Sequence, residues 1–200
     1  MTKKFLDKAY DLDGTEATQA LYAEWSASYD AEVTENGYAT PKRCAEALAQ
    51  FAHLNKPMLD FGCGTGLSGL AMRAVGFSNI DGIDINPEMV KKARSKGAYN
   101  ALEVLEPGAL PEKTYPAVAA IGVIGAGAAP VETMDLIWEA LEPGGHLVFS
   151  FNDHALEDPV FEGKVEAYTQ SGKAKQVFRE YGPHLPGIDL NSVVYVLEKM

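Results

Sequence analysis

The chain has 200 residues, of which 46% are hydrophobic and 22% charged, and its formal net charge at pH 7 is −11. Such a length and composition are typical of one globular domain with enough apolar material for helices on both faces of a sheet. The negative charge disfavours nucleic acid and anionic membranes as partners, and no apolar run approaches the roughly 20 residues of a transmembrane helix. The two cysteines give no disulfide framework and the first residues carry no apolar signal segment, so we expect one cytoplasmic domain over residues 1–200.

Two helices are predicted before the first strand. Residues 15–31 have helical spacing, with aromatic side chains on one side. For the second helix, Pro41 suits the first helical position and Thr40 is a good N-cap residue.

From residue 56 onward, short apolar segments alternate with amphipathic ones. Strands are predicted at residues 56–62, 79–85, 99–105, 115–125 and 146–152, and helices at 65–76, 86–97 and 130–141. This alternation favours a parallel, doubly wound sheet of the Rossmann-like α/β class.

The C-terminal part has a different pattern. A helix is predicted at residues 158–172, a strand at 174–182, a loop at 183–189 and a last strand at 190–199. Two strands without room for a helix between them should pair antiparallel. We therefore predict a mostly parallel sheet with one reversed C-terminal strand and helices on both faces.

Three alternate glycines, Gly62, Gly64 and Gly66, directly follow the first predicted strand. In open α/β sheets, ligands bind beyond the carboxyl ends of the strands, where the strand order reverses. Glycine leaves the backbone bare, so that a ligand can lie against it, and three alternate glycines exceed what a turn needs. The glycine turn therefore predicts a ligand site.

Asp84 ends the second predicted strand, about 20 residues beyond the glycine turn, where a carboxylate can accept both hydroxyls of a ribose. Asn86 is a good N-cap residue for the helix that follows, which leaves Asp84 for a ligand.

Two classes of cofactor fit these residues. Residues 64–69 match G-x-G-x-x-G, the dinucleotide motif, which is weak when it occurs alone. Asp60, just before the glycines, would repel a pyrophosphate but suit a ligand with an ammonium group. The short chain and the reversed strand also disfavour a nicotinamide- or flavin-linked oxidoreductase, which stays an alternative, as does a non-catalytic regulator that keeps the cofactor site.

The motifs LDFGCGTG, IDGIDINPEMVKKAR and ALEPGGHLVFS, between Met58 and Phe151, resemble the successive motifs of class I S-adenosylmethionine-dependent methyltransferases. More narrowly, LYAEWSASYD, NGYATPKR and IGVIGAGAAPVETMDLIWEALEPGG are similar to segments of the small Williams–Beuren region 27-like, or methyltransferase-like protein 27, group. The resemblance implies the class I methyltransferase fold and S-adenosylmethionine as cofactor.

The resemblance also implies roles for individual residues. Gly62, Gly64 and Gly66 would hold the methionine moiety, Asp60 would act near its ammonium group, Asp84 would bind the ribose hydroxyls, Ile85 would pack on the adenine, and Glu106 would take the adenine amino group. An exposed loop glutamate is an equal interpretation of Glu106. Tyr22, Trp25, Tyr29 and Tyr38 would belong to an N-terminal helical lid over residues 1–55, or else form the aromatic face of ordinary core helices.

The reaction implied is in-line transfer of a methyl group to a small-molecule acceptor, which depends mostly on orientation and exclusion of water. Residues 125–130 contain no titratable group and no Asn/Asp-Pro-Pro-aromatic motif, which disfavours DNA adenine and protein glutamine as acceptors.

Candidates for a general base follow the fifth strand and precede the last one. They are Asp153, His154 and His184, of which the histidines have an unperturbed pKa near ~6.5, and the alternative for each histidine is an ordinary loop residue. No further acid or histidine has convincing ligand spacing beside Asp153 and His154, so we expect no metal site. The sequence predicts neither the acceptor nor the oligomeric state.

Overall fold

The computed structural model of the chain describes residues 28–125 and 128–200. Tyr22 and Trp25, with most of the helix predicted at residues 15–31, lie outside the described residues. Within those two stretches, no helix combines the length and the apolar character needed to cross a bilayer.

The strands of the described residues form one sheet. They are β1 Met58–Phe61, β2 Ile80–Asp84, β3 Ala101–Val104, β4 Tyr115–Ala120, β5 Leu141–Asn152, β6 Ala174–Leu185 and β7 Leu190–Lys199. Their order is β3-β2-β1-β4-β5-β7-β6. β1 pairs in parallel with β2 and β4, whereas β7 is antiparallel to both β5 and β6. The predicted sheet, mostly parallel with one reversed C-terminal strand, is confirmed.

Helices cover both faces of this sheet. They are α1 Tyr29–Glu35, α2 Thr40–Leu48, α3 Leu67–Ala74, α4 Pro87–Ser95, α5 Thr133–Glu139, α6 Asp153–Leu156 and α7 Pro159–Gln170, with a 3-10 turn at Pro186–Ile188. The side chain of Asn86 caps α4 as predicted, since it accepts hydrogen bonds from the backbone N–H groups of Glu88 and Met89.

The core lies on both sides of β1, because successive side chains of a strand point to opposite faces. Met58 packs in a cluster with Leu48 of α2 and Met72 of α3. Leu59 packs on the other face in a cluster that includes Ile137 of α5. A strand buried on both faces reads as a continuous apolar run, which is how β1 was predicted. This burial fixes the glycine turn at the centre of the sheet edge.

Several element boundaries differ from the sequence prediction. β5 begins at Leu141 instead of residue 146, and α5 ends at Glu139 instead of residue 141. β4 ends at Ala120 instead of continuing to residue 125, because the chain turns at Gly122, where φ is +68°. α2 includes Thr40 as its first residue, and Ala39 occupies the N-cap position without a side-chain cap.

The connection between the last two strands is shorter than predicted. The ladder of β6 and β7 continues to the pair Leu185 and Leu190. His184, predicted in a loop, is therefore a residue of β6.

The described part of the N-terminal region, from residue 28 onward, divides into two parts with different roles. Residues 28–40, which we call the strap, include α1 and lead into α2. α2 itself is a core helix, since Cys44, Ala45 and Leu48 are buried against the sheet. Among the described residues, the segment that can cover a site is the strap.

Candidate functional site

A cavity of about 550 Å³ lies at the carboxyl ends of the central strands. Its walls are the glycine turn after β1, residues 84–86 after β2, residues 105–109 after β3, residues 121–123 and 128–130 after β4, the start of α5, and Tyr29 and Tyr38 of the strap. This is the edge where the order of the strands reverses, and where open α/β sheets bind ligands. Its volume falls within the roughly 300–1,000 Å³ of small-molecule sites.

The three glycines of the turn serve different purposes. A Cβ on Gly62 would lie 2.5 Å from Cγ2 of Val123, so packing requires this glycine. A Cβ on Gly66 would lie at a tight 3.1 Å from Cα of Ala93, and the φ of +93° at this residue also favours glycine. A Cβ on Gly64 would meet no protein atom within 4 Å, and Gly64 lines the cavity. Gly64 is thus the point where a ligand can approach bare backbone.

Gly69, the last glycine of the match to G-x-G-x-x-G, makes room for an aromatic ring. A Cβ at this position would lie 2.3 Å from Cζ of Tyr99. The backbone N–H of Gly69 also donates a hydrogen bond to the Tyr99 hydroxyl, at 3.1 Å. At its last position, the match to G-x-G-x-x-G therefore reflects the packing of α3 against Tyr99.

Asp84 joins the end of β2 to the glycine turn. One carboxylate oxygen accepts the N–H of Gly64 and the other accepts the N–H of Asn86, each at 2.8 Å. Burial raises the pKa of Asp84, while these backbone hydrogen bonds lower it. A carboxylate has about four lone-pair positions, so Asp84, which lines the cavity, retains acceptor capacity for a ligand hydroxyl.

Asp60 is fully buried beneath the turn and is not among the residues that line the cavity. Its Oδ2 accepts hydrogen bonds from the Ser68 hydroxyl at 2.5 Å and from the Tyr99 hydroxyl at 2.7 Å. Its Oδ1 is buried without a hydrogen-bond partner in the structure. Burial raises the pKa of Asp60 to about 6. An unpaired buried oxygen of this kind calls for a donor, such as a bound water or ligand.

Ile85 and Glu106 both line the cavity, and their predicted roles toward an adenine stay predictions. Ile85 is 36% exposed, and the apolar side chains of Met89 and Leu105 line the same region. Gly66, also predicted to hold the methionine moiety, is not among the residues that line the cavity.

Asp153 and His154 begin α6 and do not line the cavity. The carboxylate of Asp153 accepts the Tyr181 hydroxyl at 3.0 Å and the backbone N–H of Asn191 at 2.8 Å. His154 is exposed. The predicted base function of these two residues stays a prediction.

His184 is buried behind the strap and likewise does not line the cavity. Its Nδ1 lies 2.8 Å from the Thr40 hydroxyl, and its ring meets the ring of Tyr38 edge-on at 5.2 Å between centroids. Burial lowers the pKa of His184 to about 4, so the ring is neutral at neutral pH. The His184 ring is therefore placed to support the Tyr38 ring by packing against it.

The sequence analysis missed Asp30, Lys96 and Tyr99, which surround the glycine turn. Asp30 contacts the Thr65 hydroxyl at 2.5 Å, and Lys96 contacts the Thr65 carbonyl oxygen at 2.5 Å. The helical periodicity of the sequence could not predict these contacts, because they join segments that are far apart in the chain.

Comparisons with known proteins give consistent results. The profile of a family described as "Methyltransferase domain" matches residues 37–192. Human methyltransferase-like protein 27 is 33% identical over 133 residues, which cover 62% of this chain and 54% of that protein. The ribosomal protein L11 methyltransferase of Burkholderia orbicola is 30% identical over 116 residues, covering 56% of this chain and 37% of that protein. The chain thus matches about half, or less, of the length of these relatives.

Among solved structures, the fold is similar to that of magnesium protoporphyrin IX methyltransferase from Synechocystis, determined with bound S-adenosylmethionine. The TM-score is 0.62 at 15% identity, with 98% of this chain and 90% of that chain covered. Identity at this level bears on the fold, which is the class I methyltransferase arrangement of strands.

Proposed function

The chain belongs to the methyltransferase-domain family, and we propose that it transfers a methyl group from S-adenosylmethionine to a small-molecule acceptor. The observation that carries the proposal is the pairing of open backbone at Gly64 with the carboxylate of Asp84 on the cavity wall. This pairing suits a ligand that carries both an amino-acid moiety and a ribose.

The residues present fit this cofactor. When bound, it supplies a methyl group on a sulfonium, which becomes a neutral thioether as an acceptor lone pair takes the methyl group. Gly64 would offer backbone to the amino-acid part, and Asp84 would accept hydrogen bonds from the ribose hydroxyls. Ile85 and Leu105 would bury the adenine, and Glu106 would accept a hydrogen bond from its amino group. The unpaired Oδ1 of Asp60 can accept from the ammonium group through a water.

In the proposed reaction, the rest of the cavity lining orients the acceptor and excludes water. Tyr29 and Tyr38 line it from the strap, and Ile121, Ala128 and Pro130 line it after β4. Methyl transfer from a sulfonium needs alignment and desolvation more than proton transfer. The proposal therefore assigns the walls of the cavity to positioning and requires no histidine within it.

Charge supports a non-anionic acceptor. The charged residues among the described lining of the cavity are all carboxylates, namely Asp84, Glu106, Glu132 and Asp135. With a net charge of −11, this lining disfavours a polyanionic acceptor at long range. The proposal includes a cytoplasmic location, which two buried free thiols, Cys44 and Cys63, support.

The first experiment measures binding. Calorimetric titration with S-adenosylhomocysteine should show one site, and titration with NAD⁺ or NADH should show none. Binding of the nicotinamide compounds instead would replace the proposal with an oxidoreductase.

The second experiment identifies the acceptor class. Radiolabelled S-adenosylmethionine is supplied with a metabolite extract in one arm and with ribosomal protein in the other. Label in a small molecule supports the proposal. Label in protein moves the acceptor to a macromolecule, as the name of one group of relatives suggests, and binding without any transfer favours a non-catalytic regulator.

A further inference from the structure

The strap is anchored at both ends over the cavity. Near its C-terminal end, the backbone N–H of Ala39 donates to the carbonyl oxygen of His184 at 2.9 Å, and the N–H of Gly187 donates to that of Asn36 at 3.0 Å. These bonds fix the strap to the end of the β6 and β7 pair. The other anchor lies on the opposite side of the cavity, at the glycine turn.

This second anchor is a closed ring of three residues, Asp30, Thr65 and Lys96, which we call the latch. The Thr65 hydroxyl donates to Oδ1 of Asp30 at 2.5 Å, and Nζ of Lys96 donates to Oδ2 of Asp30 at 2.6 Å. The same Nζ donates to the carbonyl oxygen of Thr65 at 2.5 Å. Each member thus contacts both others.

The latch differs from an ordinary surface ion pair. Lys42 and Glu46 form such a pair at 3.8 Å, with side chains 78% and 54% exposed. Exposed ion pairs of that kind contribute little to the stability of the fold. In the latch, Lys96 is only 17% exposed and Asp30 38%, and every contact is a short hydrogen bond with charge on at least one partner. Hydrogen bonds to charged groups are the stronger class.

The position of the latch connects it to the ligand site. Thr65 stands between Gly64 and Gly66 in the turn, and both Thr65 and Tyr29 line the cavity. Asp30 directly follows Tyr29 in α1. Releasing the latch would therefore remove contacts that hold the start of α1, and with it Tyr29, near the glycine turn. The contacts of the far anchor would stay in place.

We propose that Asp30 is a positioning residue which, through Thr65 and Lys96, holds the strap against the glycine turn and so slows dissociation of the bound cofactor. The inference rests on the proposed function, because it names the regulation of that same site. It concerns how long the cofactor stays bound, whatever the acceptor.

The test is the dissociation rate of S-adenosylhomocysteine, measured by displacement in a stopped-flow instrument. Asp30→Asn should raise this rate about tenfold, because changes within one binding site act mostly on dissociation. The melting temperature without ligand should fall modestly, because Lys96 loses its ionic partner, and a merely structural role would lower it without changing the dissociation rate. Glu46→Gln, which makes the same change in an exposed pair, should leave the rate unchanged.

A second pair of variants keeps the inference testable should Asp30→Asn fail to fold. Thr65→Val removes the hydroxyl at nearly constant volume and should speed dissociation of S-adenosylhomocysteine. Thr65→Ser keeps the hydroxyl, so its dissociation rate should equal that of the wild type. Equal rates for these two variants, or a wild-type rate in folded Asp30→Asn, would overturn the latch and leave the proposed function standing. If the wild type binds no S-adenosylhomocysteine, the proposed function fails and the latch fails with it.

Discussion

At the scale of single residues, Asp84 is the carboxylate most closely tied to the cavity. Asp84→Asn keeps an acceptor for one of the two backbone N–H groups but loses the charge that a ribose hydroxyl would meet. We expect binding of S-adenosylhomocysteine to weaken by about 1–3 kcal/mol, the range for a hydrogen bond to a charged group. Calorimetry measures the change.

The control for this variant lies on the same strand. Asp81 is also a mostly buried carboxylate of β2, but it pairs with Lys113 at 2.7 Å and does not line the cavity. Asp81→Asn should affect stability and leave the affinity unchanged. An equal loss of affinity in both variants would mean that Asp84 affects binding by stabilising β2 and not by contacting the ligand.

Gly64 allows a prediction with a closely matched control. Gly64 and Gly97 both have positive φ angles, +51° and +66°, and a Cβ on either would meet no protein atom within 4 Å. Changing either glycine to Ala should therefore cost a similar ~1 kcal/mol of backbone strain. Only Gly64→Ala should also weaken binding of S-adenosylhomocysteine, because only Gly64 lines the cavity. Denaturant unfolding and calorimetry separate the two effects, and intact binding by Gly64→Ala would contradict the site.

At the scale of elements, Arg43 attaches α2 to the C-terminal strand pair. Its guanidinium group donates to the carbonyl oxygens of Glu180, Pro183 and Ser192, at 2.9, 3.0 and 3.2 Å. The side chain is only 12% exposed. Arg43→Met should lower the free energy of unfolding by about 2 kcal/mol, because three carbonyl oxygens lose hydrogen bonds from a charged donor.

The neighbouring lysine provides the control for α2. Lys42 is 78% exposed, so Lys42→Met should change the free energy of unfolding by less than about 0.5 kcal/mol. Urea denaturation of both variants decides the matter. Similar losses in both would show that charge on α2, and not the contacts of Arg43, stabilises the helix.

Elements were predictable where local chemistry decides them. The bounds of β7 and the Asn86 cap of α4 follow from an apolar run and from an N-cap side chain, both visible in a few residues. The end of β6 was not predictable, because its ladder with β7 continues past the proline at position 183. The role of α2 as a core helix likewise depends on long-range packing.

At the scale of the whole molecule, Asp60 makes stability depend on pH. Burial raises its pKa in the folded protein from 3.8 to about 6. The folded state therefore holds the proton more tightly, so the contribution of Asp60 to stability is fully present below about pH 4 and is lost as the pH rises through about 6. Relative to Asp60→Asn, the wild type should be more stable at about pH 4 than at about pH 7. Urea denaturation at both pH values measures the difference, and an equal difference at both would contradict it.

The location of the candidate site was predictable on the same scale, whereas its closure was not. The order of the glycine turn and Asp84 along the chain is enough to bring them to one sheet edge, given a doubly wound sheet. The latch joins Asp30 to Thr65 across 35 positions, and the contact of Thr40 with His184 spans 144. No local pattern encodes such pairings, which arise only when the sheet is complete.

Tyr99 has a consequence for anyone who redesigns this protein. Its ring fills notches left by two glycines, since a Cβ on Gly69 or Gly82 would lie 2.3 Å or 2.9 Å from ring atoms. Neither glycine can be enlarged on its own, and shrinking the tyrosine would leave a hole and strip a donor from Asp60. Positions 69, 82 and 99 therefore depend on one another. A library that varies them together is needed, because an enlarged glycine must be matched by a smaller side chain at position 99.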